Sequence, residues 1–303
     1  MGVFVLGSLN VDLVAYVKRL PDPGETVVGK EFLSFPGGKG LNQAIAVARS
    51  GSSVAMIGAL GDDNHGEFLR KTLASEGINF QEVKTLEGAT GVAIIEVDEK
   101  GQNRIIVIPG ANSGINSDDV AKYLAENPPH ILLAQLETPL AVIIEAFKTA
   151  KKNGTYTILN PAPAQILPKE LLENTDLLIP NEHEASTLTG ISIKTVKDAE
   201  EAANALRQMG AKEVVITLGE NGSIYSTNTA TIYQKAFSAN VIDTTAAGDA
   251  FCGGLAASLD REVPFQQALK YASVAGGLAT EIRGAVPSLP TRDIIQRFLQ
   301  SAL

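Results

Sequence analysis

The residues Asp243-Thr-Thr-Ala-Ala-Gly-Asp249 join three small side chains to an acid, then run into apolar positions at helical spacing (Ala250, Phe251, Leu255, Ala256, Leu259). Ala246, Ala247 and Gly248 let a backbone turn come close to a ligand. Asp249 then falls at a helix N-terminus, where unpaired amide N–H groups and the helix dipole attract anions. A carboxylate beside an anion site is useful if it acts on a group next to a bound phosphate. The reaction this implies is phosphoryl transfer to a hydroxyl. A helix N-terminus also implies a low pKa for Asp249, and hence a weak base.

Other segments place polar groups where they could meet such a ligand. Pro36-Gly-Gly-Lys39-Gly-Leu-Asn42-Gln-Ala44 leads into a helix expected over 44–49, and Lys39 and Asn42 offer donors and an acceptor to polyhydroxylated or anionic ligands. Asn10 and Asp12, in Gly7-Ser-Leu-Asn10-Val-Asp12, share one side of an extended chain and could grip adjacent hydroxyls; an Asx-turn is the plainer reading. Gln135-Leu-Glu137 follows another expected strand. Asn181 and Glu184 lie on one face of a helix start and can hold water around Mg2+, although the same spacing makes a capping box. Thr217-Leu-Gly219-Glu-Asn-Gly222 suits a turn passing under a nucleotide, or a simple hairpin. Cys252 reads as a small buried hydrophobe and His183 as a surface residue.

Several familiar motifs are missing. The chain has no Gly-x-x-x-x-Gly-Lys-[Ser/Thr] loop, and Val5-Leu-Gly7-Ser-Leu-Asn10 lacks the further glycines of a dinucleotide fingerprint, which counts against a dehydrogenase. Neither a Gly-x-Ser-x-Gly elbow nor a His-Glu-x-x-His pair occurs.

The elements that must position these residues follow from the hydrophobic pattern. Short apolar runs at 3–6, 54–57, 131–134, 156–159, 177–179 and 214–217 lack alternation, as strands covered on both faces do. Helical patterns at 67–76, 140–151 and 199–209 lie between them, which predicts a three-layer α/β/α sandwich with a mostly parallel sheet. Helices at 250–259, 264–282 and 291–300 are expected to pack over one end of that sheet. Segments 11–36, with a turn-rich Pro21-Asp-Pro-Gly24, and 91–108, with a hairpin signal, lack crossover helices and predict a small antiparallel β lid on a single domain spanning 1–303. An exposed apolar face on that lid predicts a homodimer.

Bulk properties set outer limits. A net charge of −9 argues against nucleic-acid partners, and one cysteine with three histidines leaves no disulfide framework and no histidine-rich metal cluster. No apolar run approaches a membrane span, and the first strand has no signal-peptide character, so a cytoplasmic location is expected.

The segments Gly37-Gly-Lys-Gly-Leu-Asn42-Gln-Ala and Asp243-Thr-Thr-Ala-Ala-Gly-Asp249 resemble the paired signatures of the ribokinase, or PfkB, family of sugar kinases. Gly7 to Asp12, Pro23-Gly-Glu-Thr26, Gln135-Leu-Glu137, Leu159-Asn-Pro-Ala-Pro163 and Gly284-Ala-Val-Pro-Ser288 extend the likeness along the chain. The resemblance implies ATP-dependent phosphorylation of D-ribose at the 5-hydroxyl, with a deoxyribokinase, another pentose or ketose kinase, or an inactive sugar-binding protein as alternatives. It implies sugar contacts from Asn10, Asp12, Gly38, Lys39, Asn42, Glu137 and Asp249, with Asp249 also the general base. Amides of Ala246, Ala247 and Gly248 would form an anion hole. ATP would lie against Asn181, Thr217, Gly219, Gly222, Gly248 and Ser273, with Mg2+ held through water by Asn181 and Glu184. A K+ site would use Asp243, Thr245, Ala279, Ile282, Gly284 and Ser288, largely through backbone oxygens. Leu41 departs from the alanine expected there and would narrow the sugar pocket.

Overall fold

The computed structural model describes residues 2–301. Its strands are β1 (Val3–Leu6), β2 (Asn10–Val17), β3 (Gly29–Gly37), β4 (Val54–Gly61), β5 (Asn79–Leu86), β6 (Gly91–Val97) and β7 (Asn103–Ile108). They continue as β8 (Ile131–Ala134), β9 (Tyr156–Leu159), β10 (Leu177–Leu178), β11 (Glu213–Thr217), β12 (Ser223–Ser226) and β13 (Thr231–Gln234). The helices begin with α1 (Lys39–Arg49), α2 (Asn64–Ser75), α3 (Ser117–Glu126), α4 (Leu140–Lys152), α5 (Lys169–Glu173) and α6 (Glu182–Thr189). After them come α7 (Val196–Gln208), α8 (Ala247–Asp260), α9 (Phe265–Ala279), α10 (Ala285–Ser288) and α11 (Arg292–Ser301).

Nine strands form the main sheet in the order β13-β12-β11-β10-β9-β8-β1-β4-β5. Pairing is parallel from β5 to β11, and the β11-β12 and β12-β13 pairs at the far edge are antiparallel. Neighbouring strand residues go to opposite cores. Val3, Val5, Met56, Ile131, Leu133 and Val215 pack with α1, α2, α8 and α9, while Leu6, Ile57, Leu132, Ala134 and Ile216 pack with α3, α4 and α7. That double burial explains why the strands read as unbroken apolar runs.

The C-terminal helices depart from the expected position. They form part of the layer on one face of the sheet, against α1, instead of covering its end. Small residues on α8 make the contact so close that a Cβ on Gly253 would lie 2.4 Å from the Ala46 Cβ and 2.8 Å from the Gln43 carbonyl oxygen. Helix α1 also begins at Lys39, five residues before the apolar pattern suggested, so Lys39 and Asn42 lie on its first turns.

A second sheet has the order β3-β2-β6-β7. Its two hairpins, β2-β3 and β6-β7, are antiparallel, but they join through a parallel pairing of β2 with β6, so the sheet is mixed and not wholly antiparallel as expected. Val11, Val14, Val17 and Ala93 are buried, but on β3 and β7 apolar side chains are left uncovered: Ile106 is 62% exposed and Phe32 64%.

Strand β1 separates the two halves of the main sheet, with β4 on one side and β8 on the other. Ligands in open α/β sheets bind outside the carboxyl ends of strands at such a switch point. The segments after β1, β8, β9, β10 and β11 all emerge at that edge.

Candidate active site

Ala246 caps α8 with φ of 61°, in the left-handed region unusual for a residue with a Cβ. This conformation turns the chain sharply into the helix. Ala247 N–H closes the turn onto the Thr244 carbonyl at 3.2 Å, so of the expected anion-hole amides it is already engaged. The N–H groups of Ala246, Gly248 and Asp249 have no backbone acceptor among the described residues. A Cβ on Gly248 would meet open space, which leaves room for a ligand over this turn.

Asp249 is only 6% exposed. Its Oδ2 accepts from Asn42 Nδ2 at 3.0 Å and its Oδ1 from Gln43 Nε2 at 2.9 Å. Burial raises its pKa above the ordinary carboxylate value, and Lys39, Gln43 and Asn42 oppose that shift without cancelling it. This corrects the low value expected from the helix N-terminus, because desolvation outweighs the favourable terms. Asp249 is correspondingly a stronger base. Burial also opposes the charge on Lys39, but the carboxylates of Asp249, Glu137 and Glu184 outweigh it and raise its pKa.

Gly38 supplies the N-cap of α1 with φ of 91°. A Cβ there would lie 2.9 Å from the Asn10 nitrogen and the Ser8 carbonyl oxygen, so only glycine lets this loop lie against the chain leaving β1. Glu137 serves as the missing acidic cap: its Oε2 accepts from Lys39 N–H at 3.0 Å and from Ser8 Oγ at 2.5 Å. Asn42 is buried, and its Oδ1 has no hydrogen-bond partner among the described residues. An orphaned acceptor beside a buried carboxylate fits a ligand hydroxyl that donates there.

Asn10 is held by Asn112, whose Nδ2 donates to Asn10 Oδ1 at 2.8 Å and to the Leu9 and Pro109 carbonyls. Asp12 lies across the β2-β3 ladder, with its carboxyl over Gly37. Burial, with Glu137 and Asp249 nearby, raises its pKa to about 7.

A cleft of about 190 Å3 joins Lys39, Asn181, Glu184, Thr217, Gly248 and Asp249. Asn181 and Glu184 make a complete capping box, each side chain bonding the other's N–H at 2.8 Å. That uses Asn181 Oδ1 and Glu184 Oε2, and leaves Glu184 Oε1 for another role. Gly219 and Gly222 lie in the short turn after β11, outside the cleft lining. Ser273 is not brought to the cleft either: its hydroxyl, on α9, donates to the Lys235 carbonyl at 3.4 Å.

The six residues expected at a K+ site are partly tied together. Asp243 Oδ1 accepts from the Thr245 N–H and hydroxyl, and Oδ2 from Gly284 N–H at 2.9 Å. The Asp243 N–H reaches the Thr280 carbonyl, next to Ala279, while Ser288 Oγ bonds Ala285. Ile282 contributes an exposed side chain. Among the described residues no three His, Cys, Asp or Glu side chains gather as a metal site. Cys252 is buried at the cleft wall, where desolvation raises its thiol pKa well above the usual value.

The pfkB family carbohydrate kinase model matches residues 2–292. The chain belongs to the pfkB family of carbohydrate kinases. It is 40% identical over 300 residues to a ribokinase of Haemophilus influenzae, covering 98% of each chain. It is 43% identical over 298 residues to a bifunctional ribokinase/ribose-5-phosphate isomerase A of Fructilactobacillus sanfranciscensis, covering 97% of this chain and 55% of that longer protein. Arabidopsis thaliana ribokinase, solved in complex with ribose and ATP, superposes with a TM-score of 0.92 at 33% identity, covering 98% of both chains.

In this pfkB-family chain Leu41 does not narrow a pocket. It is fully buried in the core, because its position on α1 faces the sheet and not the cleft. Ser8, Gln43, Asn112 and Asn160 were not among the expected site residues. Ser8, Gln43 and Asn160 lie inside the quoted motifs, the one local signal that points to them, and Asn112 lies in none.

Asp12 generates a prediction. Its folded pKa of about 7 exceeds the ordinary carboxylate value of 3.8, so the folded chain holds its proton more tightly. The resulting stabilisation is complete below the unfolded value and is lost as pH rises through about 7. Asp12→Asn should therefore gain stability at about pH 8, on the order of 2 kcal/mol relative to the parent, and little at about pH 4. Thermal denaturation at both pH values checks this, and parallel curves for the two proteins would contradict it.

Proposed function

We propose that this chain catalyses the ATP-dependent phosphorylation of D-ribose at its 5-hydroxyl, giving D-ribose 5-phosphate. The observation that carries the reading is the buried Asp249 carboxylate next to Lys39 and the open amides of Ala246 and Gly248. Asp249 takes the proton of the attacking hydroxyl as the new bond to the γ-phosphorus forms. In a loose phosphoryl transfer that proton is lost late, so alignment and anion stabilisation supply most of the acceleration.

Asn10, Asp12, Gly38, Lys39, Asn42 and Glu137 surround the sugar in this account. The unpartnered Asn42 Oδ1 supports it, because a sugar hydroxyl would satisfy that atom. ATP occupies the cleft running past Asn181 and Thr217 toward Gly219 and Gly222. Ser273, on α9, is the outlying member of that set.

The donor set fits Mg2+ held through water, since Glu184 keeps one oxygen outside the capping box and lines a cleft with room for water. When bound with ATP, Mg2+ supplies neutralisation of phosphate charge. At the proposed K+ site both Asp243 oxygens are already engaged, so a monovalent cation would rest mainly on the carbonyls of Thr245, Ala279, Ile282, Gly284 and Ser288. ATP as co-substrate fits a cytoplasmic setting.

The small sheet, formed from about residues 11–36 and 91–108, acts as a lid over the sugar on a single catalytic unit. Its uncovered face joins two subunits. On the face opposite Asp12, the partly exposed side chains of Phe32, Ile94, Ile106 and Ile108 lie on neighbouring strands, apolar surface that a second subunit would take out of water.

Turnover with ATP over a panel of sugars, with and without K+, tests the function. D-ribose should lead in kcat/KM and K+ should raise the rate. A preference for 2-deoxyribose of more than about tenfold, some 1.4 kcal/mol in transition-state binding, would overturn the sugar assignment. Sedimentation tests the dimer. Ile106→Asp should convert a dimer to monomer, and a parent protein that is monomeric at micromolar concentration would contradict the lid interface.

A further inference from the structure

Three carboxamides from separate parts of the fold meet beside the Asp249 carboxylate, and one of them, Gln43, bonds it alongside Asn42. Gln43, on α1, donates one Nε2 hydrogen to Asp249 Oδ1 at 2.9 Å and the other to Asn160 Oδ1 at 3.0 Å. Its Oε1 accepts from Gln135 Nε2, just past β8, at 2.6 Å. Asn160, just past β9, donates its own Nδ2 to the Ile179 carbonyl at 2.9 Å. Gln43 and Gln135 are fully enclosed, and Asn160 is 9% exposed.

These bonds have one direction only. The Ile179 carbonyl can only accept, so the amide nitrogen of Asn160 must face it and the oxygen of Asn160 must face Gln43. Gln43 then has acceptors on one side, Asn160 Oδ1 and Asp249 Oδ1, and a donor on the other. Turning its amide over would set its oxygen against two oxygens and its nitrogen against a nitrogen. Each polar atom of Gln43 is thus committed, and the chain from Ile179 through Asn160 to Gln43 ends at the carboxylate. Apolar side chains of similar volume would fill this junction without desolvating three amides. What the amides add is a donor aimed at Asp249.

We propose that Gln43 is a positioning residue for phosphoryl transfer: its amide, itself fixed by Asn160 and Gln135, locks the Asp249 carboxylate in one orientation beside the cleft. This inference rests on Asp249 being the base. A donor on Oδ1 also favours the ionised form that a base must have, against the burial that opposes it. The charged and titratable groups facing Asp249 come from several elements. They are Lys39 on α1, Asp12 on β2, Glu137 after β8, Glu184 on α6 and Cys252 on α8 itself. Lys39 works in the same sense as Gln43. Asp12, Glu137 and Glu184 work against it.

The acid limb of the kcat–pH profile for sugar phosphorylation reads this role. Gln43→Leu should move that limb upward by about one pH unit, with a roughly tenfold lower kcat on its acid side and sugar KM within about threefold of the parent. Gln135→Met, which leaves the Gln43–Asp249 bond in place but frees the Gln43 oxygen, should move it less and in the same direction. This second variant touches neither Asp249 nor Asn160, and it decides the question if Gln43→Leu does not fold. A limb that stays at the parent position in the folded variants overturns the proposal, even if thermal stability falls, because a purely structural amide would give that result. Asp249→Asn separates the two failures. If it keeps turnover, the base assignment is wrong; if it is inactive while the limb stays fixed, only the role of Gln43 is wrong.

Discussion

A carboxylate taken out of water at the start of α8 is the constraint on which the rest of the site depends. An unpaired buried charge costs several kcal/mol, so Asp249 can remain there only if other groups compensate. Lys39 provides the opposite charge, Asn42 and Gln43 donate one hydrogen bond to each oxygen, and the helix start contributes its dipole. The three side chains come from α1, and α1 can approach only because Gly38, Gly40 and Gly253 have no side chain where the chain packs tightly against it. Incomplete compensation leaves Asp249 above the ordinary carboxylate pKa, which suits a group that must accept a proton.

The parallel sheet brings the remaining pieces to the same edge. Segments after β1, β8, β9, β10 and β11 end within one region because every one of those strands runs the same way. The small sheet begins at this edge too, since Asn10 is both the last residue out of β1's turn and the first of β2. Asn112 fastens that root by bonding Leu9, Asn10 and Pro109, the last of these just after β7. Any movement of the small sheet would therefore turn about the residue proposed to grip the sugar.

The layered architecture was legible because strands buried on both faces leave unbroken apolar runs, and hairpins without crossover helices stand apart from them. The charged and glycine-rich residues were legible for a similar reason: Asp249, Lys39 and Gly38 sit in short local patterns. The start of α1 was not, since its first turn is capped by Glu137, a residue 98 positions away that no local pattern reveals. The same applies to Gln43 and Asn160, which lie 117 positions apart and look like ordinary polar residues until the fold joins them. The expected low pKa of Asp249 failed on burial, a property of the packed α1–α8 contact and not of the helix end alone. The expected placing of the last helices failed because the small residues of α8 serve close packing against α1, a purpose that helical periodicity does not disclose.

The most direct test of the account is the Asp249→Asn variant, measured for both turnover and ribose binding. Asparagine keeps the shape but cannot take the proton of the attacking hydroxyl. With Asp249 as the base, kcat should fall by about 10²–10⁴-fold while the ribose Kd changes by no more than a few-fold. Turnover close to that of the parent would contradict it.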